Sequence, residues 1–596
     1  MNAPQETKFW RRYEKGVEYL DIKNLVNRAN KCWNFYSGKQ WEGIEADGED
    51  LPFLNFIQPN IKRKVTTIYT NRMAVTYSDM EGRAELQAVY ERLSQLFSAK
   101  WEKSNQDTLC RKTIKYAAIA FDGIQYFPTE NVEDAQLLST TDVLFGDENE
   151  PNIQRQPYII VRERRLVSEV KELARKNGIS EEEIALIRSD SDTEDTIYNT
   201  DEVESENSTD SSKVTLITHF EKKTEPVTKM IYKDVYDDEG NLTERVGELV
   251  EDGERTVVYV AKCTKYAMVE NERAISAKPS MIDRLKGKQG RSLSLYPLVK
   301  FSWEEVPNSA RGISQVEGLI PNQININKTI ARRAIITQTE AFPRMAYDET
   351  IISNPESLSE VGAPIAVSSG GAQSVNQAIA YLNPPQFSGE PKQLTDDLLD
   401  ISQELSGSGD TTMGNIDLQR VAASAIVAVN DQAQSMHDET VANLQLFVED
   451  MANLWVELWQ VFSPNGISVV TQKTVAEPVI GPDGNVVLDA MGVPVTKTKQ
   501  VDERVEISAE ELDAIKPVTR IDVTKDNSFT REAAQNVIDG LLEKGYITLE
   551  EWVELATDTS PVPKHQLEII LERRKQQTVP NTIPNETPQS QVPPTM

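Results

Sequence analysis

The sequence predicts an α+β protein in which helical and β-rich segments alternate along 596 residues, enough chain for several structural units. Three observations lead to this fold class. Between Gly414 and Pro464 no Gly or Pro interrupts the chain, and apolar residues recur every three or four positions, which indicates one very long helix. The segment Val214–Val269 alternates apolar and polar residues with the period of a strand. The segment Tyr296–Lys328 indicates a buried strand that leads into a further helix.

Composition excludes several classes of protein. The net charge of −31 argues against a free-standing binder of duplex DNA, because such proteins normally present a basic surface. The cysteines are three in number and widely spaced, so no disulfide framework is expected and a reducing cytoplasm suits the chain. No apolar run of about 18 residues and no signal peptide occur, so we expect no membrane association.

The N-terminal segment, residues 5–127, is predicted to be mostly helical. We expect a long helix from about Ala84 to Phe121, followed by short strands between 124 and 165. The early helices carry aromatic residues that could pack together or offer a stacking platform for nucleobases, and packing is the simpler interpretation. These residues are Trp10, Tyr13, Trp33, Tyr36 and Trp41.

A charged helix is predicted over Leu166–Arg188, and the segment Ser189–Asp210 follows with nine acidic and no basic residues. Such a segment could bind metal, or it could be a disordered surface loop with too little apolar surface to offset its ordering entropy; composition favours the loop. The antiparallel strands of Val214–Val269 are predicted to turn at Asp238–Asn241 and again at Glu251–Gly253.

A helix with basic side chains is predicted over Asn322–Phe342, and an amphipathic helix over Pro391–Leu405. Between them Tyr347–Pro385 contains short strands punctuated by Gly and Pro. Such an insert has little core of its own and would gain stability by pairing its edges with copies from neighbouring subunits, which favours a ring or an array. The basic positions of the first helix are Lys328, Arg332 and Arg333.

A Gly-rich loop, Ser406–Gln419, separates the second helix from the long one. After the long helix we expect β structure over Gly466–Thr524, with a hairpin at Gly481–Asn485, and helices over Phe529–Lys575. The tail from Gln576 onward is rich in Pro, Gln, Asn and Thr and is predicted to be disordered.

Recognisable catalytic motifs are absent from the sequence. The three histidines are far apart in the chain, and neither a phosphate-binding GxxxxGK[ST] loop, a GxSxG elbow nor a CxxC pair occurs. We therefore predict a protein that is not an enzyme and binds no cofactor or metal.

The stretch "GISQVEGLIPNQININK" (Gly312–Lys328) enters the first of these helices, and "AFPRMAYDE" (Ala341–Glu349) leaves it. With the order strand, helix, β insert, helix, Gly-rich loop and long helix, the chain resembles the portal proteins of tailed bacteriophages, the head-to-tail connectors. The resemblance implies a portal-like fold with a mainly helical stem, a long kinked helix, a β-containing wing and clip, and a helical crown. The implied divisions are wing 1–308 with a disordered acidic loop at 189–210, first stem helix 309–345, clip 346–388, second stem helix 389–405, tunnel loop 406–419, wing 420–527, crown 528–575 and a disordered tail 576–596.

The function implied by the resemblance is that of a ring, a dodecamer, at one capsid vertex, through which double-stranded DNA is packaged and ejected. Implied partners are the terminase large subunit (the packaging ATPase), the head–tail adaptor, and capsid and scaffolding proteins; the implied location is the virion, after assembly in the host cytoplasm. The tunnel-loop tip would be Asp410, Thr411, Thr412 and Met413, and Lys328, Arg332 and Arg333 are candidate channel residues.

Two alternatives from other classes stay open at this point. One is a metal-dependent nucleic-acid phosphohydrolase that uses acidic residues. The other is an assembly or adaptor protein of the virion without a channel.

Overall fold

The computed structural model describes most of the chain and divides it into two compact units. The first unit comprises residues 1–69, 75–467 and 506–521, and the second comprises 70–74, 468–505 and 522–596. The described residues are 7–41, 51–69, 72–127, 135–190, 213–236, 242–277, 291–341, 345–349, 351–358, 364, 366, 379–381, 390–405, 438–463, 465–478, 496–524, 540, 542, 544 and 552.

The N-terminal part of the first unit is helical, as predicted, but its longest predicted helix is wrong. Where one helix was expected from Ala84 to Phe121, the chain turns at Asn105, which takes a left-handed conformation with φ of 50°. Asparagine tolerates this conformation better than other residues that carry a Cβ. The helices are α1 (Lys8–Ile22), α2 (Leu25–Ser37), α3 (Ile57–Tyr69), α4 (Gln87–Lys103) and α5 (Gln106–Ala120).

Two antiparallel sheets form the centre of the first unit. Their strands are β2 (Asp122–Tyr126), β3 (Gln136–Ser139), β4 (Val143–Phe145), β5 (Tyr158–Leu166), β6 (Lys213–Tyr236), β7 (Leu242–Cys263), β8 (Met268–Ala274) and β9 (Leu298–Ser302), while β1 (Arg72–Asp79) lies elsewhere. One sheet has three strands in the order β3–β2–β9, and the other has five in the order β4–β5–β6–β7–β8. Strand β9 is the buried strand expected before the first stem helix.

Strands β6 and β7 form a long hairpin in which one of the two predicted turns is wrong. Tyr236 pairs with Leu242, so the chain reverses where the first turn was predicted, at residues that lie outside those described. Strand β7 instead runs straight through the second predicted turn. Gly253 there has φ of 115°, and the register of the pairing shifts opposite it, between Pro226 and Thr228. This glycine is therefore part of a β-bulge and not of a turn.

The two sheets share one apolar core, and helices α1 and α2 cover a second core on the opposite face of the larger sheet. Central strand β2 lies directly against helix α5 at Gly123, where an added Cβ would overlap the Thr113 carbonyl oxygen. The early aromatic residues belong to this packing: the Trp10 and Tyr13 rings lie 5.1 Å apart and both are buried. These rings are therefore core residues.

The predicted helix over Leu166–Arg188 is two helices, α6 (Val167–Lys176) and α7 (Glu181–Ala185). They pack on the starts of β6 and β8. The prediction that the acidic segment is disordered is wrong at Asp190. This residue is buried and pairs with Arg164, and it accepts a hydrogen bond from the Thr215 amide at 2.9 Å. The rest of the segment lies outside the described residues.

Two helices are present where the stem helices were predicted. Helix α8 (Gln315–Ala341) begins earlier than predicted and passes through Pro321, and helix α9 (Glu390–Leu405) packs against it. Between them, β10 (Met345–Tyr347) pairs with β11 (Ile379–Tyr381), so the insert contains a two-stranded sheet. Of the long helix, the structure describes α10 (Asp438–Phe462); its N-terminal half and its predicted kink lie outside the described residues.

The C-terminal region is β-rich up to residue 524, as predicted, with one short helix that the sequence reasoning missed. Strand β12 (Ile467–Pro478) pairs with β13 (Thr496–Ile507), and β14 (Pro517–Thr524) pairs with β1. The missed helix, α11 (Ala509–Ala514), begins with a capping box between Ser508 and Glu511. The predicted hairpin at 481–485 and the predicted tail lie outside the described residues, as does nearly all of the predicted crown.

Candidate nucleic-acid interface

The base of helix α8 is fixed by a buried arginine. Arg311 is 5% exposed, and its guanidinium contacts both carboxylate oxygens of Glu148, at 3.0 Å from Nε and 2.9 Å from Nη2. The same guanidinium donates to the backbone carbonyls of Thr140 and Val143. A planar, bidentate arginine that also binds carbonyl groups holds one geometry. The chain therefore enters α8 in a fixed direction from the edge of the larger sheet.

A buried carboxylate and a helix cap fix the next residues. Asp122 accepts hydrogen bonds from the Ser302 hydroxyl at 2.7 Å and from the Gly312 amide at 3.1 Å. Ser314 caps α8, because its hydroxyl oxygen accepts from the amides of Val316 and Glu317. The same hydroxyl donates to the Ile119 carbonyl at the end of α5, at 2.7 Å.

The first turns of α8 are held by polar side chains. Arg28 of α2 forms a bidentate ion pair with Glu317, at 2.8 and 2.9 Å. Two turns further on, the buried amides of Gln323 and Asn327 bond to each other at 2.9 Å, and Asn327 donates to Gln40 at 2.6 Å. Gln323 also donates to the Leu54 carbonyl at 2.7 Å. Buried amides with several partners specify register, because a shift of one residue would leave them unsatisfied.

A buried lysine lies beside this base. Lys64 of α3 is 5% exposed, and its ammonium lies 6.0 Å from the centre of the Trp303 ring. Burial lowers the pKa of Lys64 to about 8. The Trp303 indole in turn donates to Gln315, the first residue of α8, at 3.1 Å.

From Lys328 onward helix α8 becomes more exposed, although Thr329 is still buried, and the predicted basic residues lie in this part. Lys328 and Arg332 are exposed, and Arg333 is half-buried. Ile326 is fully buried and lies about 160° around the helix from Lys328, so the helix buries one face and exposes the basic one. Among the described residues, neither Lys328 nor Arg332 has an ion-pair partner, so both charges are available to a ligand or to another subunit.

The later part of α8 and helix α9 also expose apolar side chains. Ile335 of α8 is 45% exposed and lies seven residues after Lys328, on nearly the same face. On α9, Leu394 and Ile401 are 51% and 49% exposed and are again seven residues apart, while Thr395 between them is buried. Apolar residues that recur on one helical face usually contact another surface.

The predicted tunnel-loop residues, Asp410, Thr411, Thr412 and Met413, lie outside the described residues, so the structure does not bring them together with the basic positions. The sequence reasoning missed Arg311, Asp122, Gln323 and Asn327. For the last two a signal was present, since polar residues four apart interrupt an apolar helical row. Arg311 and Asp122 gave no local signal, because their partners are distant in sequence.

The described residues offer no site for metal chemistry, since no three His, Cys, Asp or Glu side chains converge among them. Nor does any helix in the described part of the chain have the length and apolar character needed to cross a membrane. His219 is buried against Phe9 and Tyr158, and burial with the nearby Arg12 lowers its pKa to about 3, so it stays neutral.

Comparison with known proteins identifies the family to which this chain belongs. A comparison with curated proteins finds no match. A family model described as phage P22-like portal protein matches residues 11–595, which is nearly the whole chain and includes helices α8 and α9, the β insert and the two sheets of the first unit. The chain therefore belongs to the phage P22-like portal protein family.

Proposed function

We propose that this chain is the subunit of a portal ring that conducts double-stranded DNA into and out of a phage capsid. The family implies an oligomeric ring in the capsid and a structural role. The observation that carries the proposal is helix α8, which is fixed at its base and presents Lys328 and Arg332 on the part that leaves the core. We propose twelve subunits, as the resemblance implies.

The proposed channel combines overall repulsion with local attraction. A ring of subunits with a net charge of −31 each repels phosphate, which keeps DNA from adhering and favours sliding. A belt of Lys328 and Arg332 would supply phosphate contacts within that negative wall. Arg333, about 100° around the helix from Arg332, would face a neighbouring subunit.

Contacts between subunits would use the exposed apolar residues of the stem. Leu394 and Ile401 of α9 are both about half exposed in the single chain. Burying each would contribute about 25 cal/mol per Å² of apolar surface removed from water. We propose that these side chains lie between adjacent stems, so that ring closure depends on α9 while α8 lines the channel.

The other assignments follow the order of the elements. The two-stranded β insert between the stem helices would be the clip, the docking site for the packaging ATPase and later for the head–tail adaptor. Residues 406–419 would be the tunnel loop, with Asp410–Met413 at its tip as a soft steric collar without a strong phosphate contact. Residues 528–575 would be the crown. Capsid and scaffolding proteins would contact the ring during assembly in the host cytoplasm, before it becomes part of the virion.

Electron microscopy of the purified protein, under conditions in which procapsids form, tests the ring. We expect closed rings with a central hole. A chain that stays monomeric under those conditions would contradict the proposal.

Replacing Lys328 and Arg332 with Gln tests the belt. We expect intact rings with reduced packaging or reduced retention of DNA, because only phosphate contacts are lost. The matched control replaces Arg175 and Lys176 of α6 with Gln, since these are consecutive basic residues at the surface and away from the stem. If the stem variant forms no rings while the control does, these residues bridge subunits and the belt is wrong.

A further inference from the structure

A cavity of about 560 Å³ lies in the first unit, between the two sheets and the end of helix α10. Apolar and aromatic side chains form part of its wall, with Phe220 from β6, Val260 from β7, and Leu458 and Phe462 from α10, and polar or charged side chains form the rest. The size lies within the range of ligand-binding pockets, which is roughly 300–1,000 Å³. No predicted portal function uses this cavity.

Charged side chains lie on one side of the cavity. Glu270 is buried and pairs with Lys262 at 3.5 Å and with Arg273. The Arg273 side chain is 59% exposed and uses its Nε for Glu270, so its terminal N–H groups remain available. Two cations against one carboxylate leave a net positive charge in this part of the cavity. The site therefore favours an anionic group.

A tyrosine hydroxyl supplies a further polar contact. Tyr126 at the end of β2 lines the cavity and is 3% exposed. Among the described residues its hydroxyl has no hydrogen-bond partner, and the oxygen is not fully enclosed by the protein. Burial raises the pKa of Tyr126, so the hydroxyl keeps its proton and can donate to an acceptor.

We propose that this cavity binds the carboxyl-terminal residue of a partner polypeptide that ends in a bulky apolar side chain. The apolar side chain would pack against Phe220, Leu458 and Phe462. The terminal carboxylate would accept hydrogen bonds from Arg273 and Tyr126. A terminal residue carries both groups on one Cα, which matches a compact cavity that has an apolar wall and a cationic side.

The charges of the cavity disfavour a nucleic acid as its ligand. A nucleic acid would need several exposed cations along its backbone, whereas here Glu270 neutralises one of the two cations. The chain's own segment between residues 277 and 291 begins near the cavity rim, where the Ala277 amide donates to the Arg291 carbonyl at 3.0 Å. Its occupation of the cavity is one outcome of the test below.

The test uses the full-length protein and two small probes, N-acetyl-4-fluorophenylalanine and its amide, observed by fluorine NMR line broadening. The acid carries the proposed carboxylate and the amide does not. We expect the acid to bind roughly tenfold more tightly than the amide, as for one charge-assisted contact. Arg273→Gln and Tyr126→Phe should each reduce this preference, whereas Arg255→Gln, which removes the same charge outside the cavity, should preserve it.

Circular dichroism spectra that match the wild type would show that each variant is folded. Equal binding of acid and amide would overturn the proposal, because recognition would then be apolar only. Absence of binding to the wild type would also overturn it. If binding then appears when residues 278–290 are replaced by a Gly-Ser linker, the chain's own segment is the occupant.

Discussion

The ion pair at the base of α8 allows a quantitative prediction. Arg311→Met removes both contacts to Glu148 and the donors to the Thr140 and Val143 carbonyls. The Glu148 side chain is 13% exposed and would be left without its partner. Removing one partner of a buried ion pair costs about 3–5 kcal/mol, so we expect the free energy of unfolding to fall by that amount.

The double variant Arg311→Met/Glu148→Leu should recover part of this loss. It removes the unpaired carboxylate but leaves the carbonyls of Thr140 and Val143 unsatisfied, which costs about 1–3 kcal/mol. Urea unfolding followed by tryptophan fluorescence measures both variants. Arg175→Met, which breaks an exposed ion pair with Glu181, is the control and should change stability little. A single variant within about 1 kcal/mol of wild type, or a double variant no more stable than the single one, would refute the reasoning.

Three further predictions concern other parts of the chain. The folded-state pKa of Lys64, about 8, lies below its ordinary value of 10.5, so the unfolded chain binds more protons between these pH values and stability should rise with pH across this window. Lys64→Met should abolish that rise, which amounts to about 3 kcal/mol at ~1.4 kcal/mol per pKa unit, and thermal unfolding at pH values near the two ends of the window measures it. Replacing Asp410–Met413 with Gly-Ser of equal length should leave rings intact and impair completion of packaging or genome retention; wild-type levels of both would make the loop a simple linker. Deleting residues 192–210 or 576–596 should leave ring formation unchanged, and loss of folding on either deletion would identify a structural element there.

Elements whose stability is local were predictable from the sequence. The order from strand β9 through helices α8 and α9 followed from periodicity and from breaker residues, and the start of α9 was predicted to within one residue. The period of two in Val214–Val269 likewise predicted the long hairpin. The start of α8 was predicted too late, after Pro321, because the helix begins upstream of the proline at the Ser314 cap.

Features that depend on distant partners were not predictable. Gly253 has the composition of a turn, yet pairing with β6 extends through it and makes it part of a bulge. Asn105 gave no strong break signal, and α4 and α5 are separate because α5 packs on β2 and places Gln106 against Gln125. The candidate basic residues were recognisable by type, but their exposure depends on where α8 leaves the core.

The β6–β7 hairpin has a consequence for how the family can vary. Strand β5 pairs with the base of β6 as far as Glu221, whereas the distal ribbon from Thr228 to Tyr236 pairs with β7 alone. At ~3.3 Å per residue the 24 residues of β6 span roughly 75–80 Å, so the ribbon extends well beyond the other strands of its sheet. Because side chains alternate with a period of two, adding or removing two residues in each strand preserves every inward and outward position. Evolution can therefore change the length of this ribbon in steps of about 7 Å without altering the shared core.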